Sequence, residues 1–334
     1  MAQLRVLHVT DCYDGGVLTS VNNYVTSNPE LIHSLMYVNL GTAPAVPFAQ
    51  TYEFASKSWI RRYLQFKRVD KSGLYDVVHV HSSRAGALTR LAKSKTPLVF
   101  QSHGISFAQP RHKVIQSILF WIEKYLAKNT DAFIAVSPNE KTQICRLTNS
   151  PRVFIVRNFS DIIGKRSSKR FVLMIGRVVD LKGPKFFSAV SEMTSISENK
   201  VEFVWIGDGD EDLVASLEQC GIMVTGWVDK DKIHAYLSQS LAYLHTSASE
   251  GFPISLLDAA NVGVPIIVRS IDAFNGYDLL KISSASEAAD AIQKLTTDPF
   301  FEDLLVKKSN ELSEQHTSTT MKVSYLEVLE SLNL

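Results

Sequence analysis

The chain has 334 residues, of which 45% are hydrophobic and 21% charged, with a net charge of +1. That length suits two domains of ordinary globular composition. The near-zero charge excludes a general nucleic-acid binder, which needs a domain-wide basic excess.

The predicted elements alternate between strand and helix, and the alternation runs twice. In the first half, strands are predicted at 5–10, 35–40, 77–81, 98–102, 132–137 and 153–157. In the second half they fall at 171–175, 202–206, 223–225, 241–246 and 265–269. Most are short, nearly continuous apolar runs, as expected of parallel strands covered on both faces. Helical patterns lie between them, for example at 114–128 and 285–295. The predicted fold class is α/β, with two Rossmann-like, doubly wound parallel sheets. The polar stretch 160–170, with Gly164 and a run from Lys165 to Arg170, reads as a linker. It sets the expected domains at 1–160 and 161–317, followed by a terminal helix at 318–332.

No segment approaches the ~20 apolar residues of a membrane span; the run 114–122 is interrupted by Gln116 and Ser117. The apolar stretch 4–10 runs straight into Asp11, Cys12, Tyr13 and Asp14, so it reads as a first strand and not a signal peptide. Only Cys12, Cys145 and Cys220 occur, without metal-ligand spacing, which suits a reducing cytoplasm.

In open parallel sheets, ligands bind beyond the carboxyl ends of the strands. After the first strand come Gly15 and Gly16, which allow a backbone to approach a ligand closely; a tight turn explains them equally well. His79 and His81 lie in the third strand, and His81 with Ser82 ends it. Gln101, Ser102, His103 and Gly104 follow the fourth. Ser137 reads as the N-cap of a helix beginning at Pro138. In the second half, Gly176 and Arg177 end a strand, and Lys182 with Gly183 follows shortly after. Arginine offers a bidentate fork to phosphate oxygens and lysine a compact charge, although a solvated loop would carry the same pair. Gly207 and Asp208 end the next strand, and Thr225, Gly226 and Trp227 the one after. Asp208 and Asp210 spell Asp-x-Asp, but three letters do not justify a metal, and none is assigned.

The most informative stretch is 249–268. Glu250 lies in a loop, Pro253 suits the first turn of the following helix, and Asp258 lies inside that helix. The amides of Ile254, Ser255 and Leu256 have no intrahelical acceptor, and with the helix dipole they form a phosphate seat. Two acids flanking such a seat suit a nucleotide-diphosphate sugar, which has hydroxyls at both ends and phosphate between. A capped α/β helix that happens to carry two acids is the bland alternative.

Glu250 followed eight positions later by an acid resembles the Glu-x7-Glu signature of the family 4 retaining glycosyltransferases, which have the GT-B fold with a cleft between two domains. The resemblance covers nearly the whole chain and is strongest over 171–268. It implies that Glu250 and His103 meet the transferred sugar, that Asp258 holds the ribose hydroxyls, and that Arg177 and Lys182 face the diphosphate. It also implies that the terminal helix crosses back to the first domain. Gly251, Phe252, Pro253, Ile254 and Ser255 would supply amides to the sugar and diphosphate. Gly15, Gly16, Gly176, Gly207, Asp208 and Gly226 would line the donor site, with His81, Ser82 and Ser137 on the acceptor side. The chain departs from the pattern at Asp258, one methylene shorter than the usual glutamate, and at 269–281, a compressed segment where only Asn275 and Gly276 match the family's Gly-rich loop.

The implied activity is retaining, metal-independent transfer of a hexose-type sugar to an acceptor hydroxyl in bacterial surface glycan or glycolipid assembly. The donor is a co-substrate and not a cofactor, with UDP-sugar expected over GDP-sugar. Two basic segments with interleaved aromatic and aliphatic residues, 61–68 and 111–121, can rest on an anionic membrane surface. A glycan or lipid-linked acceptor is therefore expected, with a cytoplasmic location at or near the inner face of the membrane. The alternatives are a nucleotide-sugar epimerase of the same fold, or a non-catalytic partner that has kept the fold without turnover.

Overall fold

A computed structural model describes residues 3–41, 44–55, 57–109, 112–150, 152–194 and 201–334. The chain divides into two compact units, Met1–Asn158 with Ser318–Leu334, and Phe159–Thr317.

The first unit runs β1 (Arg5–Thr10), α1 (Gly15–Ser27), β2 (Ile32–Tyr37), β3 (Gln50–Glu53), α2 (Trp59–Asp70), β4 (Val77–His81), α3 (Ser83–Leu91), β5 (Leu98–Gln101), α4 (Lys113–Leu126), β6 (Ala132–Ala135), α5 (Pro138–Cys145) and β7 (Val153–Ile155). The strands form a parallel sheet in the order β3-β2-β1-β4-β5-β6-β7. Central strands such as β4 are buried from end to end, which explains their apolar runs. The second unit runs β8 (Phe171–Ile175), α6 (Pro184–Thr194), β9 (Glu202–Ile206), α7 (Glu211–Gln219), β10 (Met223–Val224), α8 (Lys230–Ser238), β11 (Ser240–His245), α9 (Ile254–Asn261), β12 (Ile266–Arg269), β13 (Leu280–Ile282), α10 (Ala285–Thr297) and α11 (Pro299–Gln315). Its parallel sheet has the order β10-β9-β8-β11-β12-β13. The last helix, α12 (Ser318–Glu330), belongs to the first unit, where Ser318 meets Ser27 at 2.9 Å and Lys322 pairs with Glu30.

Three expectations are corrected. The second strand spans Ile32–Tyr37 and not 35–40, because pairing with β1 begins at Arg5 and Ile32 and buries the polar His33 and Ser34. Two edge strands, β3 and β13, carry too little apolar pattern to stand out; β3 reads Gln-Thr-Tyr-Glu and is largely exposed. The stretch 160–170 is no loose linker. Asn261 donates to the carbonyls of Ser160 and Ile162 at 3.1 and 3.0 Å, and Arg166 and Lys169 both pair with Glu302. Its polar residues fasten it to the second unit.

A buried ion pair attaches α4 to the first unit. Arg90 on α3 is fully buried, lies 3.8 Å over the Phe100 ring, donates to the Gly86 carbonyl at 2.9 Å and pairs with Glu123 on α4 at 2.8 Å. Removing one partner of such a pair strands the other charge, at a typical cost of about 3–5 kcal/mol. Glu123→Ala is therefore expected to destabilise the unit by that order. Chemical denaturation checks this, and a change below about 1 kcal/mol would show that solvent already screens the pair.

Candidate functional site

In the second sheet the strand order reverses around β8, which has β9 on one side and β11 on the other. The carboxyl ends flanking such a reversal form the usual binding crevice of the fold. Three loops meet there because glycines let them. Gly183 has φ +73, and a Cβ on it would sit 2.3 Å from the Thr246 carbonyl oxygen. A Cβ on Gly207 would sit 2.1 Å from the Gly176 carbonyl oxygen. The close approach is sealed by hydrogen bonds from Thr246 Oγ1 to Lys182 O at 2.7 Å and from Ala248 N to Leu181 O at 2.8 Å.

Within this frame Lys182 Nζ forms an ion pair with Glu250 Oε1, and His245 Nε2 lies 3.3 Å from the same oxygen. Burial pushes the Glu250 carboxyl up, but the Lys182 ammonium and His245 outweigh it and hold the carboxyl well below its usual range. Glu250 is thus an ionised carboxylate in a shielded place, its side chain 13% exposed. Burial keeps His245 neutral. Its Nε2–H faces the carboxylate, so Nδ1 accepts from Tyr243 Oη at 3.3 Å. Sequence reasoning missed both Tyr243 and His245. The signal was present: they stand two residues apart, and therefore on one face, at the end of the strand that leads to Glu250.

Helix α9 begins at Ile254, and Pro253 is its N-cap in an extended conformation with no side-chain cap. Pro253 therefore precedes the first turn, where sequence reading had placed it inside. The opening amides of Ile254, Ser255 and Leu256 have no intrahelical acceptor. Ser255 Oγ is 2.8 Å from Tyr243 Oη and 3.4 Å from the Ile175 carbonyl, which locks this helix end to β8 and β11. The Phe252 ring is buried and stacks on His316 at 4.7 Å, with Tyr277 also 4.7 Å away. It anchors the Gly251–Phe252 turn, which leaves only backbone there to meet a ligand. The compressed segment 269–281 contributes Phe274 and Tyr277 to the same aromatic cluster. Asp258 lies one turn into α9 and is half-buried. Burial pushes its carboxyl up to about 7; Asp161 adds to the rise, while a hydrogen bond with Ser160 and the charge of Lys230 oppose it.

Gly207 N donates to the Gly226 carbonyl at 3.0 Å, and Gly226 has φ +67, a left-handed conformation that favours glycine. Asp208 and Arg177 are exposed. Asp208 accepts from Gly209 N at 2.8 Å, and Asp210 caps α7 by accepting from Asp212 and Leu213 amides. Both letters of the Asp-x-Asp are accounted for by local backbone. These contacts connect Gly176, Lys182, Gly207, Gly226, Glu250 and Ser255 into one patch at the ends of β8, β9 and β11.

In the first unit, Gly15 and Gly16 are exposed at the start of α1, and Gly15 has φ +52. Ser82 and His103 hold positive φ of 78° and 54°, a sparsely populated conformation for such residues that clusters at functional sites. Ser82 Oγ bonds to Asp11, and His103 Nε2 is 3.0 Å from His81 Nδ1. His81 is fully buried and so offers no exposed surface to an acceptor, against the expectation from sequence. Ser137 is also buried, its hydroxyl capping α5 by accepting from Glu140 N at 3.2 Å. Glu140 has a role that sequence reading did not see. Its buried carboxyl accepts from Ser102 Oγ at 2.6 Å, Val136 N at 2.7 Å and Gly104 N at 3.2 Å, and so clamps the turn that carries His103.

Comparisons with known proteins bear on this geometry. Residues 156–317 match the family model described as glycosyl transferases group 1, and residues 24–162 match glycosyltransferase family 4. A Klebsiella pneumoniae protein, described as an uncharacterised 41.2 kDa protein in the cps region, is 26% identical over 80% of this chain and 81% of its own length. An Escherichia coli UDP-Gal:α-D-GlcNAc-diphosphoundecaprenol α-1,3-galactosyltransferase is 27% identical over 68% of each. The crystal structure of Anabaena HepE in complex with UDP and glucose superposes with a TM-score of 0.82 at 16% identity, covering 98% of this chain and 100% of that one. Two family models that together run from residue 24 to residue 317, on two parallel-sheet α/β units, identify the chain as a glycosyltransferase of the GT-B fold, in the group 1 and family 4 class.

Proposed function

We propose that the chain is a retaining, metal-independent hexosyltransferase that takes its sugar from a nucleotide diphosphate, with UDP preferred to GDP. The observation that carries this reading is the Lys182–Glu250–His245 constellation beside the amide-lined start of α9. An ionised acid held by a lysine and a histidine is built to accept hydrogen bonds from sugar hydroxyls. Arg177, Lys182 and the amides of Ile254 and Ser255 receive the diphosphate. As the bond from the anomeric carbon to the phosphate oxygen breaks, these donors stabilise the charge gathering on the leaving group. The acceptor hydroxyl attacks from the same face and passes its proton to the departing phosphate. The UDP preference draws support from the E. coli relative's name and from the UDP bound to HepE. The relatives reported above give no support to an epimerase.

Incubation with a panel of nucleotide hexoses and lipid-linked or free glycans tests the reading. The expected result is nucleotide release coupled to a product with the donor's anomeric configuration, unchanged by a chelator. An inverted product or a chelator-sensitive rate overturns the corresponding part, and donor binding without turnover favours the non-catalytic reading.

Asp258 is assigned to the ribose hydroxyls, where an ionised carboxylate accepts from both. Its carboxyl titrates near about 7, so raising the pH from about 6 to about 8 converts it to the better acceptor and binding releases a proton. Affinity for an intact nucleotide sugar, a diphosphate diester with no titration of its own in this range, should rise up to about tenfold over that interval. In Asp258→Asn the profile should be flat. Calorimetry decides, and a flat parent profile removes Asp258 from the ribose site.

The acceptor is proposed to be a lipid-linked glycan at an anionic membrane surface. On α4, Val114, Ile115, Ile118, Trp121, Ile122 and Tyr125 are all 47–64% exposed and recur at helical spacing along one face. Exposed Lys113, Lys124 and Lys128 flank them, while Arg111 lies outside the described residues. A groove of about 720 Å³ runs along this face. On α2, Trp59, Ile60 and Leu64 are exposed beside Arg61 and Arg68. Among the described residues, no helix is long and apolar enough to cross a membrane. Apolar side chains with flanking cations suit the headgroup boundary instead. Vesicle sedimentation should show binding to anionic lipid that falls as salt rises; equal binding to neutral vesicles would overturn the anionic requirement, and no binding to either at low salt would favour a soluble acceptor.

A further inference from the structure

Three buried imidazoles of the first sheet, His33, His8 and His81, and the part-buried His103 form an unbroken line. His103 Nε2 lies 3.0 Å from His81 Nδ1, His81 Nε2 lies 3.0 Å from His8 Nδ1, and His8 Nε2 lies 3.0 Å from His33 Nδ1. The line ends where His33 Nε2 meets the Asn28 carbonyl oxygen, again at 3.0 Å. Burial lowers the pKa of all four rings, that of His103 to about 4. Each ring is therefore neutral near pH 7 and carries one N–H. A carbonyl can only accept, so the His33 proton must sit on Nε2. Its Nδ1 is then an acceptor and His8 must donate from Nε2; the same logic passes through His81 to His103.

We propose that His33, His8 and His81 are positioning residues that hold His103 as the Nε2–H tautomer, leaving His103 Nδ1 as a fixed lone-pair acceptor for a substrate hydroxyl. The inference rests on the reading above that His103 meets substrate, but the tautomer itself can be measured without any turnover. The Asn28 carbonyl, three rings away, sets which nitrogen of His103 is bare. Glu140 holds the backbone of the turn while the imidazole line sets the chemistry of its side chain. His8, His79 and His81 also present nitrogens within 4.8 Å of one another. Both His8 nitrogens are already hydrogen-bonded, and His79, which lies outside the line, meets Tyr325 Oη at 3.2 Å through Nδ1 while its buried Nε2 makes no hydrogen bond among the described residues; no cation is assigned to this cluster.

Nitrogen NMR of the full chain labelled at histidine tests the proposal. In the parent, His103 should show a pyridine-type Nδ1 and a pyrrole-type Nε2, as should His81, His8 and His33. His33→Leu cuts the line at its far end and should move the His103 resonances towards values averaged over both tautomers. An even mixture leaves half the molecules competent, so kcat should fall about twofold. His33→Gln keeps an acceptor towards His8 and a donor towards Asn28, and should restore both the spectrum and the rate. A protonated Nδ1 on His103 in the parent overturns the proposal, and that measurement stands even if His33→Leu fails to fold. A folded His33→Leu protein with an unchanged His103 spectrum overturns it equally. A confirmed tautomer with no transferase activity would instead count against the functional reading.

Discussion

A carboxylate taken out of water must either find a cation or accept a proton, and the second unit is arranged around that choice at Glu250. Lys182, from the turn after β8, and His245, from the end of β11, keep it charged. Those segments approach closely because Gly183 has no side chain to strike the Thr246 carbonyl, and Gly207 lets the end of β9 close in the same way on Gly176. Tyr243 then orients His245, and Ser255 ties Tyr243 to the start of α9. The sheet ends, the ion pair and the open helix terminus are thus one construction. Asp258, only eight residues further along, has no cation so close, and its carboxyl rises towards neutrality. Two acids in one motif therefore stand in different states, one ionised and one close to half-protonated at neutral pH.

The first unit meets the same constraint with neutral groups. Its buried imidazoles satisfy each other in sequence, and the line closes on a backbone carbonyl. A chain of donors and acceptors that ends on a group with only one role has one low-energy arrangement of its protons. The proton positions along that line are therefore fixed.

Much of this was legible in the sequence because the central strands are buried on both faces and so read as apolar runs. Gly176 with Arg177, and Gly207, stand out because they directly follow such runs, and Lys182 and Glu250 because each lies in the segment that follows one. What escaped was decided by tertiary pairing. The polar His33 and Ser34 hid the start of β2, and short edge strands such as β3 lack the pattern that burial imposes. Glu140 acts through Ser102 and Gly104, which are distant in sequence, so no local signal gives its role, whereas His245 stands close in sequence to both of its partners, Tyr243 and Glu250, and was legible. Pro253 was displaced by a single position, from first turn to cap, because only the backbone angles distinguish the two. The polar run after Ser160 looked like a linker, since composition alone cannot reveal that Asn261 and Glu302 hold it down.

Helix α4 is fastened from beneath, by Glu123 to Arg90 and by Leu119, Phe120 and Leu126 against the core. Its outward residues carry little of the unit's packing. Substitutions there should therefore cost the fold little, so the chemistry of that face can be altered while the sheet below it stays the same.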